Sequence, residues 1–175
     1  MGSINYGTSD YITMGIEPES RWDYEHDPEI MDEMKAYAAE YNMTIDEAID
    51  DCIQINAEAD RANAECVFNK YSFHYYHITI ESGYYEGFYF NIENNFPVAY
   101  EDYRERKEAL AEIRDIEKML IELAGNGVKS VYPGWGTTYH DYKTTLKHIK
   151  KATQEMRQEV RDTPTWRQYE RRQAV

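Results

Sequence analysis

Cysteine is scarce: Cys52 and Cys66 are the only two among 175 residues. Two thiols cannot define a disulfide framework, so a cystine-stapled scaffold is excluded. Long apolar runs are missing too. A membrane-spanning helix needs roughly 20 mostly apolar residues, and no such stretch occurs. No apolar leader opens the chain, so a cytoplasmic location is expected. Met1-Gly2-Ser3 is followed by Tyr6 where an N-myristoylation signal wants Ser or Thr. Bases are short as well, 19 Lys and Arg against 33 Asp and Glu, for a net charge of -14. What is present, 42% hydrophobic and 30% charged residues, fits one ordinary soluble domain over 1–175.

The motifs of common chemistries are also lacking. There is no GxxxxGK[ST] phosphate loop, and Gly125-Asn126-Gly127 and Gly134-Trp135-Gly136 read as turns. Ser72, Ser82 and Ser130 lack a hydrolase elbow. His74 and His77, three apart in a strand, point to opposite faces and do not converge on a metal, even beside Glu81 or Glu86. His140 and His148 have no third ligand at useful spacing. Cys52 and Cys66 fall on an apolar helix face, where buried thiols make poor nucleophiles. No carboxylate pair stands out from so many acids. Catalytic residues, metal ligands and cofactors are therefore all expected to be none.

The charge is unevenly distributed. Residues 1–70 carry 17 acids and 4 bases, residues 71–100 carry 3 acids and no base, and residues 101–125 carry 8 acids and 5 bases. Residues 126–175 reverse the sign, with 5 acids and 10 bases. The acidic front opposes direct DNA binding through that half, because phosphate contacts need Lys and Arg. It suits a partner with a basic groove.

Periodicity and capping signals predict an α+β fold. A strand is expected near 10–14. Asp27-Pro28-Glu29 starts a helix over 28–41, with Asp27 as N-cap and Pro28 where no amide is needed. Thr44 and Glu47 form a capping-box pattern for a helix running to Phe68. On that helix Ile45, Ile49, Cys52, Ala59 and Cys66 share the expected apolar face, and Glu47, Asp51, Glu58 and Glu65 form a separate stripe. Cys52 and Cys66 then lie about 21 Å apart along the axis, too far for a disulfide. Aromatic and β-branched residues predict a hairpin, 71–81 paired with 84–93, within a 71–98 segment. A helix over 99–124 follows, and a short strand near 128–132 extends the hairpin to a small antiparallel sheet packed against four main helices. The last long helix, 139–161, carries Tyr139, Tyr142, Leu146, Ile149, Thr153, Met156 and Val160 at alternating three and four spacing. That seam can pair inside the domain or build a homodimer. A basic, aromatic tail helix, Trp166 to Arg172, closes the chain.

Two surfaces are candidates for binding. One is the acidic front, represented by Asp32, Glu33, Glu47, Asp50, Asp51 and Glu58. The other is the hairpin tip with Tyr84 and Tyr85, in a segment rich in the rings that anchor interfaces. Four carboxylates over about 27 Å of helix are far sparser than the roughly one charge per 1.7 Å of duplex DNA. Close DNA mimicry, as in an anti-restriction protein, is the alternative. A self-associating scaffold and an uncharacterised small enzyme are the remaining ones.

The stretches Ile4-Asn-Tyr-Gly-Thr-Ser-Asp-Tyr-Ile-Thr-Met-Gly15, Tyr84-Tyr-Glu-Gly-Phe-Tyr-Phe-Asn-Ile-Glu-Asn-Asn-Phe-Pro97 and Tyr132-Pro-Gly-Trp-Gly136 resemble small acidic proteins carried by phages and mobile elements of Gram-positive gut bacteria. Some members of that group are anti-CRISPR inhibitors of type II RNA-guided nucleases. The resemblance implies a non-enzymatic inhibitor that binds such a nuclease in the host cytoplasm. It would block DNA capture or cleavage by occupancy, with no catalytic residues to carry over.

Overall fold

The computed structural model describes residues 12–17, 19–82, 88–131 and 139–175. The chain runs β1 (Thr13–Ile16), α1 (Arg21–His26), α2 (Pro28–Tyr41), α3 (Ile45–Phe68), β2 (Tyr76–Ser82), β3 (Phe88–Asn94), α4 (Tyr103–Gly125), β4 (Lys129–Ser130), α5 (Tyr142–Asp162) and α6 (Trp166–Gln173). This is an α+β fold. The four long helices each start on a side chain that accepts from otherwise unpaired amides. Asp27 accepts from the Glu29 amide at 2.9 Å, Asp102 from Glu105 at 2.9 Å and Asp141 from Thr144 at 2.8 Å. Thr44 and Glu47 close the full capping box of α3. Asn42, at φ 54°, ends α2 in the left-handed conformation that asparagine tolerates.

The sheet has four antiparallel strands in the order β2-β3-β1-β4. It therefore differs from the expected three strands. The weakly patterned β1 is inserted centrally, and the strand after α4 pairs with β1 rather than with the hairpin. The hairpin begins at Tyr76, and residues 71–75 precede it as non-strand backbone. Burial alternates along β3, with Phe88, Phe90 and Ile92 inward. Because opposed residues share a face, Met14 joins Phe90 on the inner face, and Thr13, itself buried, meets Asn91 on the other face through a 2.6 Å side-chain hydrogen bond.

The inner face packs on Val67 and Phe68 at the end of α3, on Ile113, Ile116 and Leu120 of α4, and on Ile149 and Met156 of α5. The seam on α5 is thus consumed by α4 inside the fold, with Ile149, Thr153 and Val160 fully buried. Tyr142 departs from that seam and lies 53% exposed at the helix start. Glu117 of α4 ties the pair together, accepting from Thr153 Oγ1 at 3.0 Å and pairing with Arg157. Partial burial would raise the Glu117 carboxyl, but the hydrogen bonds from Arg157 and Thr153 overcome it and hold it below the usual range. A depressed carboxyl stabilises the fold above its unfolded value and stops doing so as pH falls through the folded one. Glu117→Gln is therefore expected to be about 1.5–3 kcal/mol less stable than wild type near neutral pH. The gap should close below about pH 4.3, as read from urea unfolding at each pH.

A smaller core, Tyr24, Met34, Ile49 and Ile53, lies among α1, α2 and α3. The buried residues of α3 are Ala48, Ile49, Ile53, Ala64, Val67 and Phe68, which share only Ile49 with the expected Ile45–Cys66 face. At 100° per residue Ile45, Ala59 and Cys66 lie about 40–100° to one side of Ile49, whereas the buried Ile53, Ala64 and Phe68 lie to the other, so all three are left in solvent. The expectation of two buried thiols fails for the same reason: Cys66 is exposed and Cys52 is half-buried.

Gly15 occupies the tightest backbone position described. A Cβ there would meet the Phe88 carbonyl oxygen at 2.5 Å and the Tyr89 Cβ at 3.1 Å. Both are tied to the ladder and cannot swing away. Gly15→Ala is expected to destabilise by about 1–3 kcal/mol, measured as a lowered urea midpoint at unchanged slope.

Candidate acidic docking face

Residues 19–70 hold 15 acids and four bases, and α1–α3 gather them on one helical unit. The four bases are all engaged nearby. Arg21 alone takes three carboxylates: Glu25 at 2.9 Å, Asp46 at 2.8 Å and Asp50. Lys35 pairs with Asp32 at 3.3 Å, Arg61 with Glu65 at 3.1 Å, and Lys70 with Glu122 of α4. Among the described residues the basic rear touches the acidic front once, Lys129 pairing with Glu17 ahead of α1 at 3.3 Å, and its other ion pairs, Lys151 with Glu155 and Arg157 with Glu117, do not involve α1–α3. A large uncompensated anionic surface therefore remains on α1–α3.

The six acids singled out from the sequence divide by role. Glu47 is committed to the capping box, and its bonds to the Thr44 amide and hydroxyl hold its carboxyl below the usual range. Asp50 is held by Arg21. Asp51 accepts from the Tyr37 hydroxyl at 2.7 Å, and that bond, with burial, pushes the phenol up to about 12. Asp32, Glu33 and Glu58 are exposed, with only local contacts, Asp32 to Lys35 and Glu58 to Gln54 at 3.0 Å. They are the acids presented outward. Tyr84 and Tyr85 lie outside the described residues, as do Gly83, Glu86 and Gly87 of the expected hairpin tip.

Glu33 also lines a cleft of about 420 Å³ between α1, α2 and α3. Glu19, Asp23 and Glu33 supply its carboxylates, and Ile30 and Met34 its apolar wall. Glu19 accepts from the Tyr24 hydroxyl and from Asn56 Nδ2 at 3.1 Å. Burial and the Glu19 carboxylate push the Tyr24 phenol up to about 12, so it remains a donor at any physiological pH. Such a cleft can take a Lys or Arg side chain, aliphatic stem on the wall and cation on the carboxylates.

Sequence periodicity missed two features here. Trp22 is 62% exposed and stacks on His26, with centroids 4.3 Å apart. Tyr41, 56% exposed, packs on Tyr37. Exposed Trp and Tyr amid charge are the usual anchors of an interface. Helix α1 spans six residues, too few to show a period. The Trp22-to-His26 spacing of four between two prolines was the available signal.

Among the described residues, no group of three or more His, Cys, Asp or Glu side chains is placed to hold a metal. None of the described helices is long and apolar enough to cross a membrane. No family model, curated protein or solved structure matches this chain.

Proposed function

We propose that the chain is a non-enzymatic inhibitor that docks through α1–α3 onto a Lys/Arg-lined groove of a host-defence nuclease. The target class is an RNA-guided nuclease of the anti-CRISPR-sensitive type, and the setting is the cytoplasm of a bacterium carrying a phage or mobile element. The observation that carries this reading is the acidic face itself: 15 acids, four bases already held in ion pairs, and, among the described residues, no ion pair from the basic rear to α1–α3. A nuclease groove built to hold nucleic acid offers the opposite charge and draws such a face in by long-range attraction. Occupying that groove excludes DNA without any bond being made or broken.

The test pairs two cleavage reactions. A type II RNA-guided nuclease and a restriction enzyme each cut plasmid DNA with the protein titrated in. Stoichiometric protection from guided cleavage, with restriction unaffected, is the expected result. Protection from restriction alone would move the target to a restriction enzyme, as for a DNA-mimic protein. Protection in neither reaction contradicts the proposal.

A further inference from the structure

The outer face of α5 is of one sign. With its seam buried against α4, the helix presents Lys143, Lys147, Lys150, Lys151 and Arg161 to solvent, all exposed. At 100° per residue these cations fall within an arc of about 100° and extend over about 27 Å. Gln154 and Gln158 fill the gap between them on the same line, adding neutral donors.

A solvated amphipathic helix would normally mix its charges, and α4 does so. Its outer face pairs Arg104 with Glu108 at 3.1 Å and Lys118 with Asp115 at 3.7 Å. On α5 the carboxylates stand off the ladder. Asp141 caps the helix, Asp162 accepts from Gln158 at 2.9 Å, and Glu155 reaches Lys151 only at 4.0 Å. Lys143, Lys147, Lys150 and Arg161 form no ion pair among the described residues. Like charges four apart, as in Lys143–Lys147 and Lys147–Lys151, oppose helix formation. Folding therefore does not call for this array.

Two exposed rings lie near the ends of α5. Tyr142 is 53% exposed at the helix start, about 80° round the helix from the nearest cation of the ladder. Trp166 is 51% exposed just beyond its end and stacks on Tyr169, centroids 5.4 Å apart. The α5–α6 corner is held firmly. Arg106 donates to the Thr163 carbonyl at 2.7 Å, and the Trp166 amide donates to the Tyr100 carbonyl at 2.7 Å. Arg167 and Arg171 continue the positive charge onto α6, with Glu170 the one acid on that helix.

We propose that the outer face of α5, continued onto α6, binds single-stranded nucleic acid, the lysine–arginine ladder following the phosphates and Trp166, just beyond its end, stacking on a base. A cationic track combined with exposed aromatic rings is the chemistry that such strands select. The net charge of -14 does not forbid it. Helix α4 packs on both α3 and α5, and among the described residues the ion pairs of α5 go to Glu117 and Glu155 rather than to α1–α3. The inference concerns a different surface from the acidic face and stands without a nuclease.

The experiment is fluorescence anisotropy with labelled oligonucleotides of about 12 nucleotides, as RNA, as DNA and as the matching duplex. Binding to single strands is expected at low salt, with log K falling against log salt at a slope of about -2 to -3.5. Each of Lys147→Gln, Lys150→Gln and Arg161→Gln should reduce that slope by about 0.7. These changes keep the helix, as circular dichroism will verify. Trp166→Ala should weaken binding roughly 5- to 100-fold, while Trp22→Ala on the acidic face changes nothing. RNA and DNA titrations identify which strand is preferred. Absent binding at low salt, an unchanged triple Gln variant, or tighter binding of the duplex each overturns the proposal. So does a salt-sensitive oligomer in sedimentation that excludes the oligonucleotide, which would place a second copy's acidic face on the ladder.

Discussion

The triple reversal Asp32→Lys, Glu33→Lys and Glu58→Lys is expected to slow association with the proposed nuclease target by about 10- to 10³-fold at low salt. The three sites are exposed and carry no capping or core role, so the fold should survive with its thermal midpoint nearly unchanged. The other acids of the face are unsuitable for the comparison. Reversing Glu47 breaks the capping box of α3, and reversing Asp50 or Asp51 breaks contacts with Arg21 or Tyr37. The reversal moves net charge from -14 to -8, each site contributing two units. Association rates measured across ionic strengths separate steering from contact. The gap between variant and wild type should be wide in dilute buffer and nearly gone near 1 M salt, where the Debye length is about 3 Å. Equal rates at low salt would mean that these carboxylates only solvate the surface.

Phe90→Ala is expected to cost about 3–5 kcal/mol, out of a total stability of about 5–15 kcal/mol for a typical domain. Phe90 is fully buried on β3, opposite Met14 of β1 and Ile80 of β2. Its ring meets Phe68 of α3 edge-on at 4.8 Å. Truncation opens a cavity where sheet and helix meet, and neighbours in the ladder are too constrained to refill it. Urea unfolding followed by circular dichroism measures the loss. A cost under about 1 kcal/mol would show that the sheet does not pack as described.

The starts of α2 and α3 were announced because capping is local chemistry: Asp27, and Thr44 with Glu47, mark them in the sequence. Helices α4 and α5 begin at Tyr103 and Tyr142, later than the expected 99 and 139, because Asp102 and Asp141 cap them there. The hairpin was legible from its aromatic and β-branched run. The position of β1 was not. Its pairing is non-local, Thr13 meeting Asn91 across 78 residues, and no short-range pattern encodes which strand will be central. The buried face of α3 is a similar case. Spacing at 100° per residue grouped Cys52, Ala59 and Cys66 with Ile45 and Ile49, but the helix meets two different partners, α1–α2 at its start and α4 at its end.

The acidic front was visible as composition, but its internal division was not. Which carboxylates are spent on structure depends on where Arg21 and Tyr37 come to rest, and both act across 14 or more residues. The sign of the rear was equally plain in the count. Its arrangement as a ladder appeared only once the seam of α5 was seen to face α4.

Amide hydrogen exchange of the protein, alone and with an RNA-guided nuclease that it inhibits, tests directly whether α1–α3 is the surface that the proposed nuclease covers. Protection on binding is expected over Asp32 to Glu58 and around Trp22, with α4 unchanged. Protection confined to the sheet, or none on α2 and α3 while the complex persists, would contradict it.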